Sequence, residues 1–129
     1  MTFLTLPALL GTFALHGGGF KVSGLAAIPW LKECSLIYWG DLDAQGFQIL
    51  SQLRAIFPHV ASLMMNEATL QTFSDFCVAG MPCSVRQLPY LTSEEHALFL
   101  RLAAGNIRLE QERISHAYAL EHIYRAFGN

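Results

Sequence analysis

The chain has 129 residues, 53% of them hydrophobic and 14% charged, with eight Lys or Arg against ten Asp or Glu for a net charge of -2. That length holds one core and excludes a second domain of ordinary size, so a single domain over residues 1–129 is expected. Basic residues so few and so scattered are a poor footprint for a self-sufficient DNA binder, which usually carries a basic stripe, while a mean hydropathy of +0.35 leaves apolar surplus for a surface that meets a partner.

Residues 1–20 contain no Asp, Glu, Lys or Arg, yet they do not read as a signal peptide or a membrane span. No basic residue precedes the apolar part, Pro7, Gly11 and the run Gly17-Gly18-Gly19 interrupt it, and His16 sits within it. Residues 1–7 read as loop or extended chain, and a strand follows over 12–15. The glycine run is a turn before residues 22–31, whose apolar spacing is helical with Pro29 near its end. Backbone N–H groups of such a run can approach a phosphate, but it matches neither the P-loop nor the dinucleotide fingerprint, and a plain turn is expected. Cys34, Cys77 and Cys83 are odd in number and have no C-x-x-C spacing. Neither a disulfide framework nor a zinc site is expected, and a reducing cytoplasm is the expected location.

Leu36-Ile37-Tyr38-Trp39 is continuously apolar rather than alternating, which predicts a short strand of a parallel sheet covered on both faces. Residues 45–57 follow as a helix stopped by Pro58, then a strand over 60–65. Asn66 caps a helix running through Leu70 and Phe73 to Phe76, and Gly80, Pro82 and Pro89 mark an irregular connection. Thr92 and Glu95 form a capping box opening a helix to about Ala104, which Gly105-Asn106 ends. Residues 107–127 finish in an amphipathic helix carrying Leu120, Ile123 and Phe127. Strands alternating with helices in this order predict an α/β fold with a small, mostly parallel sheet flanked by helices.

The central strand stops at Gly40 and delivers Asp41 and Asp43 to its tip, where open α/β sheets place their ligands. Two residues apart on extended chain, the carboxylates share a side and repel unless a cation lies between them. Mg²⁺ suits a few carboxylates plus water. A plainer reading makes both residues turn or N-cap groups opening the helix at Gln45. His16, His59, His96, His116 and His122 show no ligand spacing, and Tyr38 and Trp39 read as core.

The segments Tyr38-Trp39-Gly40-Asp41-Leu42-Asp43-Ala44-Gln45-Gly46-Phe47-Gln48-Ile49-Leu50, Leu53-Arg54, Phe57-Pro58-His59-Val60, Ser62-Leu63-Met64-Met65 and Arg108-Leu109-Glu110-Gln111-Glu112-Arg113-Ile114 resemble the C-terminal domain of the Wadjet JetD family. The resemblance implies a Toprim-like fold, similar to the metal-binding domain of topoisomerase VI, in a DNA-cleaving subunit of an anti-plasmid defence system. It implies Mg²⁺ or Mn²⁺ as cofactor on Asp41 and Asp43, and SMC-like partners; the scattered basic residues leave the grip on DNA to other domains, and the uncharged, apolar residues 1–15 lead to the expectation of a homodimer. Glu110 or Glu112 would assist: on a strand both would share a face and could complete the metal site, whereas on a helix they would splay apart, and an ion-paired helix start is the plain alternative. The family's upstream glutamate belongs to a segment resembling Glu-Asn-x-x-Thr-Phe-Leu, of which only Thr2-Phe3-Leu4 is matched here behind Met1. A chain truncated at its start and inactive alone is therefore expected. Two other functions compete. One is a non-catalytic interaction module of the same fold. The other is a haloacid-dehalogenase-like phosphatase, which wants Thr or Val where this chain has Gln45 and a lysine downstream of Lys32.

Overall fold

The computed structural model describes residues 12–16, 35–80, 82–110 and 113–127. Three parallel strands form its sheet in the order β1 (Thr12–His16), β2 (Ser35–Trp39) and β3 (Ala61–Ser62), with Thr12 paired to Ser35 and His16 to Trp39 along one edge of β2, and Ile37 to Ala61 along the other. The central strand is buried on both faces, with Leu36, Ile37, Tyr38 and Trp39 all at 5% exposure or less, which is why it reads as an unbroken apolar run.

Parallel neighbours need a crossover, and α1 (Ala44–Ile56) carries the chain from β2 to β3. Phe47, Leu50 and Leu53 form its inner stripe, continued by Phe57, and all four are fully buried. Beyond Ser62 the expected strand is cut short, because Met64 takes a left-handed backbone (φ 59) that turns the chain away from β2. Met64 and Met65 fill core space.

Asn66 accepts the Thr69 N–H and caps α2 (Glu67–Thr72). The helix expected to reach Phe76 breaks instead at Phe73 into a 3₁₀ turn, Ser74–Phe76, where Thr and Ser support helix weakly and Phe76 is exposed. An antiparallel pair then forms between β4 (Val78–Ala79) and β5 (Ile107–Arg108), which the apolar pattern does not foreshadow. Between them lies α3 (Ser93–Gly105), opened by the Thr92–Glu95 capping box and closed by Asn106 in the left-handed region (φ 52). The last element, α4 (His116–Phe127), buries Ala119 and Ile123. It is tied to α2 by Tyr118, whose hydroxyl lies 3.0 Å from Thr69 Oγ1 and whose ring meets Phe73 edge-on.

One polar clamp joins α1, β3 and α3 inside this packing. Arg54 forks onto both carboxylate oxygens of Glu95, with Nη2 3.0 Å from Oε2, and donates through Nε to the Val60 carbonyl at 2.9 Å and through Nη1 to the Tyr90 carbonyl at 3.1 Å. Ser62 Oγ donates to Glu95 Oε2 at 2.6 Å, and the Thr92 N–H donates to Oε1 at 2.9 Å. Burial pushes the Glu95 carboxyl upward, but the hydrogen bonds from Arg54, Ser62 and Thr92 outweigh it and hold the group below the usual carboxylate range. The capping box is legible in the sequence; its second role, as the anchor of a buried arginine on another helix, is not.

Candidate functional site

The site is built where β2 ends, and two glycines make its backbone possible. A Cβ on Gly40 would lie 2.2 Å from the Tyr38 hydroxyl, so the missing side chain is the space into which that ring extends. A Cβ on Gly46 would lie 2.1 Å from the Asp41 carbonyl oxygen, so only glycine lets the first turn of α1 close against the loop. In that turn Asp43 is the N-cap, its Oδ1 accepting the Gly46 N–H at 2.7 Å. The capping role and the ligand role are compatible, since the cap occupies one carboxylate oxygen and leaves Oδ2 to face elsewhere.

Asp43 Oδ2 and Asp41 Oδ2 both face Arg108. The guanidinium donates from Nη2 to Asp41 at 3.0 Å, its Nε stands 3.5 Å from Asp43, and Nη2 stands 3.7 Å from Glu110 Oε2. A backbone bridge brings this arginine into place: the Leu42 N–H donates to the Leu109 carbonyl at 2.9 Å and the Leu109 N–H to the Leu42 carbonyl at 3.0 Å, with both leucine side chains fully buried. Residues 107–109 therefore run beside the aspartates, while the alternatives raised for Glu110 and Glu112 turn on residues 111 and 112, which lie outside the described residues. In the sequence Arg108 is only a flank of Glu110; in the fold it is the residue on which the carboxylates converge. Its sequence signal is its place in the Arg108–Ile114 segment that carries the family resemblance.

Tyr38, Asp41, Asp43, Gln45, Gly46, Ile49 and Arg108 line a shallow cleft of about 160 Å³. The Tyr38 hydroxyl is buried and has no hydrogen-bond partner among the described residues. Burial, with the charges of Asp43 and Asp41 behind it, raises its pKa far above the usual phenol range, so it stays protonated and available as a donor. Burial also raises the Asp43 carboxyl; the Gly46 N–H works against this, the Asp41 charge adds to it, and Arg108 only partly offsets them. The hydrogen bond to Asp41 in turn raises the Arg108 guanidinium.

Among the described residues, no three His, Cys, Asp or Glu side chains form a group able to hold a metal. Glu110 reaches the shared arginine, at the rim, and does not join the two aspartates as a third ligand; Glu112 lies outside the described residues. The donor set nonetheless fits a hard divalent cation that keeps most of its water. Two carboxylate oxygens already converge on one cationic group, and an unpartnered hydroxyl lines the same cleft. Three of the histidines have structural partners: His96 Nε2 accepts the Leu88 N–H, His122 stacks on Tyr118, and His59 meets the Phe57 ring edge-on. Cys77 and Cys83 are free thiols, and Cys34 lies outside the described residues.

The family model described as Wadjet protein JetD, C-terminal, matches residues 1–123 of the chain. No curated protein matches it.

Proposed function

The chain belongs to the Wadjet JetD C-terminal family, and from that membership we propose that it is the Toprim-like, metal-binding part of a DNA-cleaving subunit in a bacterial anti-plasmid defence system. The observation that carries this reading is the convergence of Asp41 and Asp43 on one cationic group at the carboxyl end of the central parallel strand. Asp41 and Asp43 would hold Mg²⁺ or Mn²⁺, which when bound polarises a phosphodiester and stabilises charge developing on its oxygens. Asp43 is held rigidly by the Gly46 N–H, so its Oδ2 stays aimed into the cleft. Tyr38, kept protonated, donates a hydrogen bond to an oxygen bound there.

Grip on DNA comes from other domains and from SMC-like partners in this reading. Arg54 is consumed by the internal clamp, and Arg101, Arg108 and Arg125 are each paired with carboxylates, which leaves few cations to neutralise phosphates. No described helix is long and apolar enough to cross a membrane; we place the protein in the cytoplasm, where plasmid DNA is found. The test is incubation of closed circular plasmid with the protein extended upstream through the family's Glu-Asn segment and preceding domain, its SMC-like partner complex and Mn²⁺. Nicking or linearisation should be lost in Asp41→Asn and in Asp43→Asn, and cleavage that survives both changes refutes the assignment.

One observation favours the alternative of a non-catalytic module of the same fold: Arg108 already neutralises part of the carboxylate charge. On that alternative the Asp43→Asn change leaves partner-complex function intact and no metal binds.

A further inference from the structure

We propose that Arg108 is an exchangeable counter-ion, occupying the Asp41–Asp43 site until a divalent cation displaces it, and so setting the metal concentration at which the site loads. The inference rests on the metal reading given above and adds a control to it.

The protein contains its own standard for an arginine built to stay. Arg54 meets Glu95 with two nitrogens on two oxygens, adds two backbone carbonyls, and has a side chain only 12% exposed. Arg108 does none of this. Its guanidinium is spread over three carboxylates and forks onto none of them, making one hydrogen bond of normal length. Its Nε is buried without a hydrogen-bond partner among the described residues, because the contact with Asp43 at 3.5 Å is too long or too poorly aligned to serve. A fork that leaves a donor unsatisfied between two acceptors is a poor fit to its site.

Two further features point to a ligand other than the guanidinium. The hydroxyl of Tyr38, a fully buried residue that lines the cleft, has no hydrogen-bond partner among the described residues with Arg108 in place. Arginine has no acceptor, so it can never satisfy that O–H; a cation carrying water or an anionic oxygen can. The rim also offers Arg108 somewhere to go. Its side chain is 35% exposed and already lies 3.7 Å from Glu110, so it can leave the aspartates without losing every carboxylate partner.

Isothermal calorimetry with Mn²⁺ alone tests the exchange, on the wild-type chain and on Arg108→Gln, Arg108→Lys and Asp43→Asn. Removing a competing charged hydrogen bond should lower the Mn²⁺ Kd of Arg108→Gln by about tenfold. Arg108→Lys, which keeps the charge, should stay within roughly twofold of wild type, and Asp43→Asn should abolish binding. An independent measurement needs no variant: on titrating ¹⁵N-labelled wild type with Mg²⁺, the Arg108 Nε–H resonance should move in step with occupancy while that of Arg54 stays still. Equal or weaker Mn²⁺ binding by Arg108→Gln, with binding still abolished by Asp43→Asn, overturns the exchange and leaves the metal reading standing. An Arg108 resonance unmoved at saturating Mg²⁺ overturns it likewise. Absence of Mn²⁺ binding in both wild type and Arg108→Gln overturns the exchange and the metal reading together.

Discussion

Glu95→Gln should remove about 3 kcal/mol of stability, at the lower end of what breaking one side of a buried ion pair costs. The two side chains are only 12% and 9% exposed, so solvent screens their pairing little. The amide keeps the shape of the carboxylate and one acceptor, but it leaves Arg54 charged among acceptors too few for its donors. Against a total of about 5–15 kcal/mol for a domain of this kind, the loss is a large fraction. With a urea m-value of about 2 kcal/mol/M, the midpoint should fall by about 1.5 M at unchanged slope. pH supplies a second readout. The folded Glu95 carboxyl lies below its ordinary value of 4.5, so its contribution is complete above pH 4.5 and is lost as pH falls through the folded pKa. Wild type should therefore lose stability over that acid range more steeply than Glu95→Gln. Replacing both partners, as Arg54→Met with Glu95→Leu, should cost much less than the sum of the two single changes. A loss under about 1 kcal/mol for Glu95→Gln, or additive costs in the double variant, would show that the clamp does not hold the three elements together.

Asp43→Asn should raise the urea midpoint at pH 7 in metal-free buffer. The folded Asp43 carboxyl lies above its ordinary value of 3.8, so the folded state binds the proton more tightly and the ionised group counts against folding once pH exceeds the folded pKa; Asn keeps an acceptor for the Gly46 N–H without that charge. A lowered midpoint would show that pairing with Arg108 outweighs burial. Gly46→Ala should cost about 2–3 kcal/mol in the same assay, because the added methyl meets backbone that cannot step aside, and a neutral result would contradict the close approach of α1 to the loop. Light scattering should give the mass of a homodimer. The first fifteen residues are uncharged and β1 is an outer strand of the described sheet, and a monomer at every practical concentration would refute this.

The parallel sheet, the crossover helix and the position of the aspartates are legible in the sequence because each has a local cause: an unbroken apolar run, a helical stripe before Pro58, and a strand tip. The capping box of Thr92 and Glu95 and the left-handed Asn106 are equally local. What the sequence hides depends on partners far apart in the chain. Arg54 and Glu95 are 41 residues apart and Arg108 and Asp41 are 67, and neither pair leaves a trace in periodicity. Tyr38 reads as core, and it is; that the residue also lines the cleft, with its hydroxyl in the space above Gly40, follows only from the fold. The short β3 depends on a left-handed Met64, a conformation methionine does not advertise. Residues 22–31, the glycine run and residues 1–7 lie outside the described residues.

The Leu42–Leu109 bridge makes correct threading of the chain and assembly of the cleft a single event. Asp41-Leu42-Asp43 and Arg108-Leu109-Glu110 each set a fully buried leucine between two charges, and the antiparallel bridge lays one triplet against the other. A slip of one residue in either triplet would turn a charge toward the core and a leucine toward water, a penalty paid at once on both faces. Misaligned chains are therefore disfavoured at this point, and the aligned register brings Arg108 to the aspartates. The register of the chain and the arrangement of the site are set by the same two hydrogen bonds.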